Sequence, residues 1–133
     1  MNTLKIAAAC LLDAQQRLLL VRKRGTQAWM LPGGKQESGE APLAAVCREL
    51  DEELGLRLDG STLAVLGRFQ AAAANEADTQ VDADIFHGLI NETVTPAAEI
   101  AELRWLERHG QWPETLAPLL RTRILPVLWP VSE

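Results

Sequence analysis

Tyrosine is missing from this 133-residue chain, and phenylalanine, histidine and cysteine occur twice each. With only Cys10 and Cys47, far apart and each among apolar neighbours, no disulfide scaffold holds the fold, and two reduced thiols are expected. No charged start followed by an apolar run and a small-residue cleavage site is present, and no stretch reaches the ~18–20 apolar residues of a membrane span. A cytoplasmic protein with no membrane partner is the expectation. Basic charge is short as well: thirteen Lys and Arg face eighteen Asp and Glu, for a net charge of −5. A protein held on a nucleic-acid backbone carries the opposite excess, so a nucleic-acid partner is not expected. A homodimer stays open.

What is present suits an ordinary globular domain. Apolar residues make up 47% and charged residues 23% of the chain. The length is that of one domain, taken here as residues 1–133. Leu4–Leu12 reads as a strand, Asp13–Gln16 as a turn, and Arg17–Arg24, with Leu18, Leu19, Leu20 and Val21, as a strand buried on both faces. The two are expected to pair as a hairpin. Trp29–Leu31 is a short extended piece ended by Pro32, Gly33 and Gly34. Further strands are expected at Leu63–Gln70, Val81–Ile90 and Ile100–Leu106, with Ala71–Asp78 as a loop. Phe69 and Phe86 read as core.

Ala41–Leu54 carries the clearest helical signal. Pro42 fits the first turn, where its missing N–H costs nothing, and Gly55 supplies a stop. Leu43, Val46, Cys47, Leu50 and Leu54 form one apolar stripe. A second stripe, Leu116, Leu119, Leu120, Ile124 and Val127, predicts a C-terminal helix that Pro126 ends or bends. Strands with two helices packed on them make a layered α/β or α+β domain.

The first helix also carries Glu49, Asp51, Glu52 and Glu53 near its C-terminal end. Like charges three and four residues apart repel, and the macrodipole disfavours anions there. At ~100° per residue, Glu49, Glu52 and Glu53 share one arc of about 100°, centred roughly 125° from the apolar stripe. They project from one edge of the helix, beside the core face, while Asp51 points to solvent. Convergent carboxylates suit a hard divalent cation such as Mg2+, which would remove the repulsion. On charge alone, a solvated acidic patch explains the cluster as well.

The flanking residues decide between them. Gly34 is followed by five residues and Glu40, then by seven residues and the run Arg48-Glu49-Leu50-Asp51-Glu52-Glu53-Leu54-Gly55-Leu56. This matches the Nudix box, G-x5-E-x7-R-E-U-x-E-E-x-G-U with U apolar, at every defined position over residues 34–56. The chain resembles the Nudix (MutT-like) hydrolases, and Trp29-Met30-Leu31-Pro32-Gly33-Gly34 resembles their approach to the box. The resemblance implies an α/β/α sandwich around a mixed sheet, with the box as a loop–helix–loop. It implies Glu49, Glu52 and Glu53 as metal ligands, one of them often the general base, with Gly33 and Gly34 letting the backbone approach metal and phosphate. Arg48 matches the arginine that orients a glutamate. Glu40 matches the loop glutamate that pairs with that arginine or helps with metal.

The implied reaction is Mg2+-dependent hydrolysis of the pyrophosphate linkage of a nucleoside diphosphate joined to a second group, with Mn2+ as an alternative ion. Basic residues at the end of the second strand, Arg22, Lys23 and Arg24, together with Lys35, are candidates for phosphate contact. An acid outside the box often completes such sites; Glu76 and Glu99 are favoured over Asp78 and Glu102. Trp29 and Trp105 are candidates for stacking a base. In the family, dinucleoside polyphosphate hydrolases resemble one another in a tyrosine shortly after the box and ADP-ribose hydrolases in a proline, and this chain has neither there. That points to a small nucleoside triphosphate substrate, normal or damaged. ADP-ribose or nucleotide-sugar hydrolysis and a non-catalytic nucleotide sensor are the alternatives; sensors of that kind lose box glutamates that this chain keeps.

The charge has an address. Six acids and two bases lie between Gly33 and Leu56, a sum of −4, and the rest of the chain sums to −1.

Overall fold

The computed structural model describes residues 1–130. A mixed seven-stranded sheet lies between two helical elements. Its strands are β1 (Asn2–Leu12), β2 (Leu18–Lys23), β3 (Trp29–Met30), β4 (Gly33–Lys35), β5 (Ala64–Ala72), β6 (Thr79–Leu89) and β7 (Ile100–Leu106). The main order is β3-β2-β1-β6-β5, with β4 added on β1 and β7 on β2. β1 runs parallel to β6 along its whole length, from Asn2 opposite Thr79 to Leu12 opposite Leu89; the other pairings are antiparallel.

The expected hairpin of the first two strands survives only at its turn. β1 meets β2 at the single pair Leu12–Leu18, and the strands then part. β2 pairs instead with β7 along its length, and β1 turns its freed edge to β4 through Ile6, Ala7 and Ala8. Pro32 and the two glycines therefore do not end the extended chain; Gly33 and Gly34 are a strand. The loop Ala71–Asp78 likewise becomes the end of β5 and the tip of the β5–β6 hairpin.

Small side chains make the centre possible. Ala7, Ala9 and Leu11 face one side of the sheet, Ala8 and Cys10 the other, all buried. On the first side α1 (Pro42–Leu54) seats Ala45, Val46, Leu50 and Leu54 against Leu19, Val21 and Phe86. Pro42 occupies its first turn, and Gly55 closes it at φ 64° with an N–H directed to the Asp51 carbonyl, a left-handed stop that a side chain resists. Cys10 and Cys47 are both free thiols, Cys10 buried and Cys47 half-buried. Phe86 is core, whereas Phe69 is half-buried at the margin of the other side.

On the other face lies the C-terminal helix, a π-helical turn (Leu119–Ile124) running into α2 (Leu125–Leu128). The predicted stripe fails at both ends. Leu116 sits ahead of the helix in an extended bridge to Trp29, and Val127 is half-exposed while Leu125 is buried. The wide turn is the reason. Leu125 N–H reaches back five residues to the Leu120 carbonyl, so each position after it is rotated off the 3.6-residue phase. Pro126 has no N–H to give and its ring crowds an ordinary α-turn, which the wider turn accommodates. Among the described residues, no helix is long and apolar enough to cross a membrane.

Candidate active site

Along the last turns of α1 the three box glutamates meet very different surroundings. Glu53 is 1% exposed, Glu49 is largely covered, and Glu52 stands half in solvent. The edge position expected from helical angles thus becomes, for Glu53, a fully buried one. Its Oε1 accepts the N–H of Gly33 at 3.0 Å. Its Oε2 is buried and has no hydrogen-bond partner. Burial pushes the Glu53 carboxyl up to about 8; the Gly33 N–H opposes that shift, and the nearby Glu49 charge adds to it. Burial also raises the Glu49 carboxyl, against the pull of Arg48.

Arg48 is the hub of the loop–helix junction. Its Nε and Nη2 make a two-pronged contact with Glu40, at 2.8 and 2.9 Å. Nη1 holds Glu49 Oε1 at 2.9 Å and lies 3.5 Å from Glu52. Nη2 also caps the Lys35 carbonyl at 3.0 Å. Glu40 in turn accepts the Glu37 N–H, and the guanidinium holds its carboxyl down at about 2. Glu40 is thereby occupied in bracing the loop, and Arg48 in aiming Glu49. Asp51 points to solvent, with Arg57 3.5 Å away. Truncating the hub tests this. Arg48→Ala is expected to lower kcat/KM by about 10–100-fold, as loss of a ligand-orienting group does, and Arg48→Lys to recover little, because an ammonium cannot form the two-pronged contact. Steady-state kinetics decide it; a lysine variant at full rate removes the orienting role.

A sequence model of the NUDIX domain matches residues 2–123. The chain belongs to the Nudix domain family. Among its relatives is an RNA pyrophosphohydrolase from Francisella tularensis subsp. mediasiatica, 44% identical over 50 residues; the match covers 38% of this chain and only 32% of that protein. A putative 8-oxo-dGTP diphosphatase from Bacillus subtilis is 28% identical over 120 residues, 89% of this chain and 75% of that one. The crystal structure of a MutT NUDIX hydrolase from Burkholderia pseudomallei superimposes with a TM-score of 0.77 at 24% identity, covering 99% of this chain and 100% of that one. That likeness confirms the mixed-sheet fold with two helical elements.

The Nudix fold here sorts the weaker candidates. Arg22 is engaged by Glu102 and by the Thr26 carbonyl. Arg24 is exposed, with Nε directed at the Ala98 carbonyl. The basic residue that faces the site is Lys23 between them. It lies 3.4 Å from Glu99 and its charge is felt by both Glu49 and Glu53. Neighbours on a strand point to opposite faces, so residues 22 and 24 turn away when 23 turns in. Opposite this end β7 carries one extra residue, Ala101, and such a bulge re-aims side chains. Glu99 reaches the neighbourhood of Glu53, whereas Glu76 lies at the tip of the β5–β6 hairpin. Trp29 is buried under Arg104 and Trp105 stacks with Arg17, and neither lines the cavity beside Gly33 and Gly34.

A cavity of about 140 Å3 opens beside Gly33 and Gly34. Its floor is Leu4, Ile6, Ala8 and Val81 of the sheet, and Leu119 and Leu120 of the π-helical turn face it from the other side. Lys23 and Lys35 stand on its wall at the glycine end. Sequence reasoning missed the alanine run Ala72–Ala74 as part of this wall; the only signal was its small side chains.

The residues present fit a divalent cation. Among the described residues no three acidic, histidine or cysteine side chains converge closely enough to hold one unaided. The buried Glu53 oxygen without a partner and the Glu49 carboxyl beside Gly34 nevertheless leave two carboxyl groups next to a glycine backbone. A Cβ on Gly34 would lie 2.5–2.7 Å from the Glu49 carboxyl atoms, so that space exists because residue 34 has no side chain.

Proposed function

We propose that this protein is a Mg2+-dependent pyrophosphohydrolase of nucleoside diphosphate compounds. Its proposed substrate is a nucleoside triphosphate, normal or damaged, cleaved to the monophosphate and pyrophosphate. The observation that carries the proposal is the buried, unpaired Glu53 oxygen, with the Gly33 N–H on the other Glu53 oxygen and the Glu49 carboxyl packed at Gly34; the same two glycines line a cavity that carries two lysines. The 120-residue likeness to a putative 8-oxo-dGTP diphosphatase supports the triphosphate reading.

Glu49, Glu52 and Glu53, with the Gly33 and Gly34 backbone, are the residues proposed to hold Mg2+, or Mn2+ in its place. Bound there, the ion neutralises the diphosphate and acidifies water. Arg48 keeps Glu49 turned towards Gly34, and Glu40 keeps Arg48 in place. Lys23 and Lys35 offer positive charge to the phosphates at the cavity wall. Glu99, held by Lys23, is the proposed acid from outside the box, able to take a proton from attacking water.

A panel of nucleoside triphosphates, damaged triphosphates, ADP-ribose, sugar nucleotides and dinucleoside polyphosphates tests this. With Mg2+, a triphosphate is expected to be turned over fastest, with pyrophosphate released and EDTA stopping the reaction. No turnover of any nucleoside diphosphate compound sinks the enzyme reading and leaves a nucleotide sensor. Preference for ADP-ribose replaces the triphosphate.

A further inference from the structure

The loop that joins β4 to α1 is tied to the sheet by Gln36. Beyond it, residues 37–40 hold one another: Glu40 accepts the Glu37 N–H at 3.0 Å, and the Glu37 carbonyl accepts the Glu40 N–H at 3.0 Å. Gln36 makes the link to the strands. Its N–H donates to the Lys5 carbonyl at 2.9 Å, and its side-chain Nε2 donates to the Ile6 carbonyl at 2.9 Å. The same Nε2 reaches across β1 to Asp84 Oδ2 on β6, at 2.8 Å. A carbonyl and a carboxylate only accept, so the NH2 end of an amide serves both at once.

Asp84 is unusual for its place. It stands beside Ala7 in register and two residues before Phe86, so it shares the face on which α1 packs. It is half-buried, and among the described residues it forms no ion pair, since Arg68 is held by Asp82. A carboxylate placed so gives up hydration for one hydrogen bond from an uncharged group, and an apolar side chain would cost less there. What the pair secures is position. The Lys35 carbonyl, one peptide bond before Gln36, is the acceptor that Arg48 Nη2 caps at 3.0 Å. Arg48 in turn holds Glu49 at 2.9 Å. We propose that Gln36 and Asp84 are positioning residues: their hydrogen bond fixes the Lys35 peptide against which Arg48 is seated, and so sets the direction of Glu49. This rests on the reading of the site as that of a Mg2+-dependent pyrophosphohydrolase.

Three variants test it. Q36M keeps the length of the side chain and removes both donors. D84A removes the acceptor, and D84N keeps one in its amide carbonyl. With a nucleoside triphosphate and Mg2+, Q36M and D84A are each expected to lower kcat by about tenfold, the low end for groups that orient a metal ligand, with KM for the nucleotide little changed. D84N is expected to recover most of that loss. The double variant Q36M/D84A is expected to be no slower than either single one, as a shared interaction requires. A second readout needs neither metal nor turnover. The Arg48 Nε–H, held by Glu40, gives a signal of its own in nitrogen–proton correlation spectra of the metal-free protein. That signal is expected to move in Q36M and D84A and to return towards its wild-type position in D84N. A general loosening of the sheet would affect D84N and D84A alike. So D84N no faster than D84A overturns the proposal, as do a loss carried by KM, additive losses in the double variant, or an Arg48 signal that Q36M leaves in place. If wild type hydrolyses no nucleotide, the pyrophosphohydrolase reading fails, and the Arg48 signal alone decides the positioning role.

Discussion

Glu53→Gln is expected to lower kcat by about two to four orders of magnitude, the range for loss of a group acting directly in proton transfer or on its metal. The same substitution is expected to change stability in the opposite sense. The Glu53 carboxyl is buried with one oxygen unpartnered, and its folded-state value of about 8 lies well above the ordinary 4.5. Folding therefore favours its protonated form. Between about 4.5 and 8 the native state holds a proton that the unfolded chain has released. Stability that is complete below that window is thus lost as pH rises through it, by an amount on the order of a few kcal/mol. Thermal unfolding in EDTA is expected to show wild type losing Tm from pH 5 to pH 8, and E53Q losing much less. Added Mg2+ is expected to restore wild type at pH 8, as any ligand of the native state does, and to leave E53Q nearly unmoved. A variant within tenfold of the wild-type rate, or with the same pH slope, shows that Glu53 is not the group described.

Gly33→Ala and Gly34→Ala are expected to fail in different ways, although the residues are neighbours. A Cβ on Gly33 would meet the Ala7 carbonyl oxygen at 2.3 Å and the Ala8 Cα at 2.6 Å, both backbone of the central strand, and φ is 150°. Backbone at the middle of a paired sheet cannot give way. The cost is expected at about 3 kcal/mol or more, beyond ordinary overpacking because strain at an unusual φ adds to it. Urea denaturation reads this directly. A Cβ on Gly34 meets only the Glu49 carboxyl, the far end of a side chain that can move. G34A is expected to fold with nearly wild-type stability and to lose most of its activity, because Glu49 is turned off its seat. Full activity in G34A removes the close approach from the site. A stable, folded G33A contradicts the packing of β4 on β1.

The Nudix box was legible as spacing, and its physical content was legible too. The Pro42 start, the Gly55 stop and the Leu43–Leu54 stripe are local matters of backbone geometry and burial, and the structure keeps them nearly residue for residue. The strand β7 was placed to the residue, because an alternating segment between breakers needs no distant partner to be recognised. Elsewhere the chain's local pattern pointed one way and its packing another. Leu18–Val21 next to a turn reads as half of a hairpin, yet the edge it pairs with belongs to Ile100–Leu106, some eighty residues on. The last helix reads as a 3.6-residue stripe until Pro126 forces a wide turn and exchanges Val127 for Leu125.

The same division runs through the site. Local spacing alone determined that Glu49, Glu52 and Glu53 share one edge of a helix and that an acidic cluster, not an acidic protein, accounts for the net charge. Only the tertiary structure decided that these three are unequal. Glu53 is buried because β4 comes in against β1 and lays the Gly33 N–H on it, while Glu52 stays in solvent one residue away. The fold also set Lys23 beside Glu99 and near the box glutamates, and paired Arg22 with Glu102 on a distant strand. It carried Glu76 away from the glutamate cluster to the far end of the cavity. Periodicity reports which face a residue shares with its neighbours. What stands opposite that face is set by contacts between segments far apart in the chain.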